Sequence, residues 1–198
     1  MKASMRLIRH RVNTLEELRA LAPGLGAEID LRSRGSELIL RHDPFGEGER
    51  LSDFAAAWSS RGTTGTLILN PKEDGLERAA AEILHRNAIE DYFFLDLTVP
   101  AGVRLAFRES FTRHAVRVSE FESPDSALRF SGRAEWVWVD CFSGEPPEPT
   151  VLARLREHFH ICLVSPELHG FASENIARFR RLGENVDAVC TKHPGLWQ

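Results

Sequence analysis

A chain of 198 residues, 42% apolar and 27% charged, has the composition of a soluble globular protein and excludes a disordered or fibrous one. A formal net charge of −4 argues against a general electrostatic grip on nucleic acid, and the short basic run Lys2, Arg6, Arg9, His10 and Arg11 does not alter that. No segment approaches the roughly 20 apolar residues of a membrane span, and MKASMRLIRH lacks an apolar leader core, so one cytoplasmic domain over 1–198 is expected.

In chain order, short β-rich runs alternate with helical patterns. LIRH (7–10) is followed by TLEELRAL, where Thr14 and Glu17 fit a capping box. AEIDL (27–31) leads through a turn at Arg34-Gly35 to ELILRH (37–42). LSDFAAAW reads as a helix capped by Ser52, and TLILN (66–70) precedes the amphipathic GLERAAAEILHRN. YFFLDL (92–97) precedes a helix expected over 103–113, and AVRVSE (115–120) precedes SPDSALRF. WVWVD (136–140) precedes PTVLARLREHF, CLVSPE (162–167) precedes SENIARFRRL, and AVCTK (188–192) is the last strand. Three widely spaced cysteines, Cys141, Cys162 and Cys190, fall in or beside these apolar runs and read as buried thiols, not as a zinc or disulfide framework.

If ELILRH is a hairpin arm of the second strand, eight strands remain, each followed by a helix or loop. That rhythm predicts an α/β fold, a compact (β/α)8 barrel, with an open doubly wound sheet as the alternative. Barrels of this kind typically run to about 250 residues, so short helices are required here.

Such barrels place their chemistry at the C-terminal ends of the strands. The sequence loads those ends with His10, Glu28, Asp30, His42, Asn70, Lys72, Asp96, Arg117, Asp140, Glu167 and Lys192. Strand parity puts Glu28 with Asp30, and Asn70 with Lys72, on common faces. It also puts Asp140 with Trp136 and Trp138, while Val137 and Val139 face the helices. Two acids on one face of a buried strand repel unless a cation, Lys or Arg joins them.

These motifs, His10-Arg11, Asn13-Thr14, Glu28-Ile-Asp30, His42-Asp43-Pro44 and LILNPK (67–72), resemble in type and order those of the glycerophosphodiester phosphodiesterases, and DAVCTKHP is similar to that family's last strand. The resemblance implies a barrel enzyme that hydrolyses a small or lipid-derived phosphodiester. In it His10 and His42 would act as general acid and base, with Arg11, Lys72 and Arg117 holding phosphate. Glu28, Asp30 and Asn70 would hold a divalent cation, magnesium or calcium. Asp96, Asp140, Glu167 and Lys192 would line the rest of the pocket. The chain departs from the pattern at Val12, where the family has glycine, and at Asn70, where it has an acid, so cation affinity should fall. The competing readings are a non-catalytic binder of a phosphorylated sugar or lipid head group, and a sugar-phosphate isomerase or lyase on the same barrel.

Overall fold

The computed structural model describes residues 5–62 and 65–198; Lys2 of the basic run lies outside them. β1 (Arg6–Arg9) pairs in parallel with β2 (Gly26–Arg34). The far half of β2 carries an antiparallel arm, β3 (Glu37–Leu40), edged by β4 (Glu49–Arg50). β5 (Leu67–Pro71) lies on the other side of β2, and β6 (Tyr92–Phe94) on β5. From the opposite flank, β7 (Ala115–Val118), β8 (Trp136–Val139), β9 (His160–Val164) and β10 (Ala188–Thr191) pair in parallel sequence, and β10 returns to β1.

The seam left between β6 and β7 is joined by one parallel bridge, Phe94 with His114, in which the Phe94 N–H donates to the Arg113 carbonyl at 3.0 Å. Among the described residues no ladder beyond this bridge pairs β6 with β7. The architecture is a (β/α)8 barrel whose sheet is thin at this one seam.

The pleat sorts the side chains as the sequence parity requires. Ile8, Ile68, Phe93, Trp136, Trp138, Cys162 and Cys190 fill the barrel in one cluster, where Phe93 stacks on Trp136 at 4.5 Å. Val137 and Val139 face outward with Leu152, Leu155 and Phe179. The three cysteines are buried and free. β2 and β5 approach closely at their start: a Cβ added at Gly26 would lie 2.4 Å from the Thr66 carbonyl oxygen, so only glycine fits.

The outer layer is built from short helices, which is how 198 residues suffice. α1 (Leu15–Ala20) carries the expected capping box: the Glu17 N–H donates to Thr14 Oγ1 at 3.1 Å and the Thr14 N–H to Glu17 Oε2 at 3.0 Å. α2 (Leu51–Ser59) starts earlier than the Ser52 cap predicted for it. Arg50 is still paired with Ile39 in β4, so the chain passes from strand to helix without a spacer, and Arg50 occupies the cap with no side-chain bond. α3 (Glu77–Arg86) matches its predicted pattern.

The helix expected over 103–113 is displaced. α4 (Val99–Val103) begins at the Thr98 cap with Pro100 in its first turn, and Arg104–Arg108 then widen into a π-type turn. Ser110, at φ 54°, ends it. Thr98 and Pro100 form a start signal of the usual kind, which the apolar spacing further on obscured. α5 (Pro124–Leu128), α6 (Pro149–Arg156) and α7 (Ile176–Phe179) complete the layer. No helix among the described residues is long and apolar enough to cross a membrane.

Candidate active site

The register of β2 and β5 sets Asp30 opposite Asn70, and with Glu28 two residues before it the mouth of the barrel receives two acids and an amide. Glu28 and Asp30 are each 1% exposed. The Arg11 backbone N–H donates to Glu28 Oε2 at 2.9 Å, and the Asn70 amide donates to Glu28 Oε1 at 3.2 Å. Asp30 receives Lys72 Nζ on Oδ1 at 2.8 Å and Asn13 Nδ2 on Oδ2 at 2.8 Å, with Arg11 Nε at 3.6 Å. Asn13 Oδ1 in turn accepts from the Asp30 N–H at 2.8 Å. Both acids are therefore held by groups of the chain itself.

His10 follows β1 and points its Nε2 at Glu28 Oε2 from 3.8 Å. Its Nδ1 is buried with no hydrogen-bond partner. Burial, with the Arg11 charge acting in the same direction, lowers its pKa to about 4, so the ring is neutral at pH 7 and able to accept a proton. Glu28 is moved the other way. Burial and then the Asp30 charge raise its pKa to about 7, against the Arg11 N–H, Lys72 and Asn70. A neutral imidazole beside a carboxyl that titrates near neutrality is a pair suited to proton exchange.

The polar network runs on around the rim. Asn70 Nδ2 also donates to Asp96 Oδ2 at 3.1 Å, and Arg117 Nη2 binds Asp96 Oδ1. Arg117 Nε reaches Asp140 Oδ2 at 3.3 Å, and Asp140 Oδ1 lies 3.0 Å from His169 Nε2. Strand ends far apart in sequence thus form one connected chain of contacts from Arg11 to His169.

His42 sits at the edge of this arrangement. Its Nδ1 bonds Asp43 Oδ1 at 2.8 Å, and its carbonyl accepts from Arg32 Nη2 at 2.8 Å. That bond to His42 lowers the Asp43 pKa. Among the described residues no hydrogen bond or ion pair joins His42 to His10, Glu28 or Asp30. Glu167 is placed differently from a pocket-lining acid: Oε1 accepts from Thr191 Oγ1 at 2.6 Å and from the Lys192 N–H at 2.9 Å, while Ser165 binds Oε2. It fastens the segment after β9 to the end of β10. Lys192 is exposed, and its charge acts on His10.

Two residues of the site hold left-handed backbone, Arg11 at φ 56° and Asp96 at φ 55°. The turn after β1 thus takes its positive φ at Arg11, and Val12, standing where the resemblance has glycine, is a buried core residue instead. Asn13 and His169 were not singled out as site residues by the sequence. In the sequence Asn13 stands only as half of the Asn13-Thr14 motif with no role of its own, and no spacing rule connects His169, beyond β9, with the end of β8.

The donor set does not make a cation cage as it stands. Both oxygens of Asp30 are occupied by Lys72 and Asn13, and Asn70 turns its NH₂ toward Glu28 and Asp96. Asn70 Oδ1 is buried without a partner, so one neutral oxygen is free where a cation would need charged ones. Among the described residues no three His, Cys, Asp or Glu side chains converge as metal ligands.

No family model matches the chain, and no curated protein does. Solved structures do. A protein of Galdieria sulphuraria assigned to the glycerophosphodiester phosphodiesterases superposes with a TM-score of 0.72 at 16% identity, over 97% of this chain and 96% of that one. The phosphodiesterase of Oleispira antarctica, solved with its product sn-glycerol-3-phosphate, gives a TM-score of 0.70 at 18% identity, covering 98% and 95%. A glycerophosphoryl diester phosphodiesterase of Parabacteroides distasonis gives 0.61 at 17% identity, covering 98% and 85%. The chain has the fold of these enzymes.

Proposed function

We propose that the chain is a phosphodiester hydrolase of the glycerophosphodiester phosphodiesterase type, acting on a small or lipid-derived phosphodiester. The observation that carries the reading is the placement of neutral His10 against Glu28, beside Arg11 and Lys72, at the C-terminal end of the barrel. A phosphodiester anion entering the mouth would meet the Arg11 guanidinium, 47% exposed, and the Lys72 ammonium, which would stabilise charge on the phosphoryl oxygens.

His10, uncharged at neutral pH, would take the proton of the attacking hydroxyl, from water or from a neighbouring hydroxyl of the substrate. His42, held by Asp43, is the group proposed to protonate the leaving alcohol. The positive charge in this scheme comes from Arg11, Lys72 and Arg117, and both acids are already bonded from within the chain.

The test is release of glycerol phosphate from a panel of glycerophosphodiesters by the wild-type protein. His10→Ala and His42→Ala should each slow it by about a hundredfold or more. Full activity in either variant would remove that residue from the mechanism. Thermal stabilisation by glycerol phosphate with no turnover in any diester would support the non-catalytic binder in its place.

A further inference from the structure

Beside the polar mouth lies a cavity of about 1040 Å³ that the reaction above leaves unused. It opens where the sheet is thin, above the single Phe94–His114 bridge, and is walled by Leu95, Val103, Phe107, His114 and Phe130. Its volume is that of a site for a whole organic ligand, about 300–1,000 Å³ in ordinary proteins. Asp96 and Arg117 line it too, and they are the residues that continue the network from Asn70. A largely apolar space and the polar mouth therefore share a boundary.

Two further observations indicate an apolar occupant. Val99 and Phe107, both on the wall, are 75% and 50% exposed, an arrangement that leaves large apolar side chains facing water unless something covers them. At the back, His114 is fully buried, and its two ring nitrogens make no well-formed hydrogen bond. Burial lowers its pKa, so this part of the wall is uncharged, and the charged side chains of the lining are Asp96, Arg117, Glu122 and Arg129.

We propose that this cavity binds the aliphatic chain of the substrate, so that the preferred diester carries a single long alkyl or acyl chain on one side of the phosphate. The proposal rests on the reading of the mouth as a phosphodiester site. The phosphate would lie at Arg11 and Lys72 and the chain would pass Arg117 into the seam. The unpaired His114 nitrogen would meet a carbonyl or ether oxygen on the chain.

Calorimetric binding, which needs no turnover, tests it with three probes: ethyl methyl phosphate, dodecyl methyl phosphate and 1-dodecanol. Affinity should rise about fourfold per added methylene until the cavity is filled, so the dodecyl diester should bind at least a hundredfold more tightly than the ethyl one. Gly102→Leu should abolish that gain, because Gly102 lies on the wall and a Cβ there meets nothing closer than Phe130 at 4.0 Å, leaving the longer side chain to fill the space. Equal affinity for the two diesters, or a gain unchanged in Gly102→Leu, would overturn the proposal. Tight binding of 1-dodecanol that Gly102→Leu removes, with neither diester binding better than the alcohol, would keep the chain site and overturn the phosphodiester reading instead.

Discussion

Lys72 reaches Asp30 at 2.8 Å, an ion pair in which the side chain of the acid is 2% exposed and that of the lysine 19%. Asp30 is the most heavily bonded acid of the mouth, and its charge is compensated chiefly by this ammonium. Lys72→Met should therefore destabilise the fold by about 3 kcal/mol, the cost of leaving a buried charge without its partner. Adding Asp30→Asn should recover much of that loss. Urea midpoints of the single and double variants check it, and an unchanged midpoint in Lys72→Met would show that Asn13 and Arg11 suffice.

Asn70→Glu should convert the site into one that responds to divalent cations. The amide now donates to both Glu28 and Asp96, so a third buried acid there would replace two bonds with repulsion. Without added metal the variant should melt well below wild type, and magnesium or calcium should raise its Tm by more than they raise that of wild type. Equal cation responses in the two proteins would show that Asn70 does not control cation affinity.

His10 and Glu28 give the pH dependence of stability opposite slopes. His10 has its folded pKa lowered from 6.5 to about 4, so its contribution is complete above pH 6.5 and is lost as pH falls toward 4. Glu28 has its folded pKa raised from 4.5 to about 7, so its contribution is complete below pH 4.5 and is lost as pH rises through 7. His10→Asn should flatten the acid limb between pH 4 and 6.5, and Glu28→Gln the limb between 4.5 and 7. Urea midpoints measured across this range decide the matter; variant profiles parallel to wild type would mean that neither group is buried as described.

The three cysteines should be silent in the native state. Burial pushes the Cys141 thiol up to about 12 and those of Cys162 and Cys190 well above the ordinary range, so almost no thiolate exists at pH 8. Ellman's reagent should label none of them until denaturant is added, and then all three. Prompt labelling of the folded protein would contradict the packing of the barrel interior around Cys162 and Cys190 or of the outer layer around Cys141.

Much of this is legible in the sequence. The alternation Trp136-Val137-Trp138-Val139 predicts which face fills the barrel and which meets the helices, because a strand has only two sides. Glu28 and Asp30 announce a buried polar mouth for the same reason. What pattern reading missed depends on three-dimensional closure. Glu167 ends its strand as a site residue would, yet its partners Thr191 and Lys192 belong to another strand and claim it for the fold. His169 joins Asp140 only because the segment after β9 folds back over the rim. The displaced α4 shows the local limit: the run near 103–113 has helical spacing, while Thr98 and Pro100 decide where the helix begins.

The left-handed backbone at Arg11 and Asp96 has a practical consequence for anyone engineering this chain. Each non-glycine residue in that conformation holds about 1 kcal/mol or more of strain, so glycine at either position is the change a thermostability screen would reward. Yet Asp96 is the joint between Asn70 and Arg117, and Arg11 carries the exposed guanidinium beside Asp30. A library sorted on heat resistance alone would enrich Arg11→Gly and Asp96→Gly and drift toward robust, inert barrels. These two positions should be held fixed in any such library, or sorted on turnover as well as on survival.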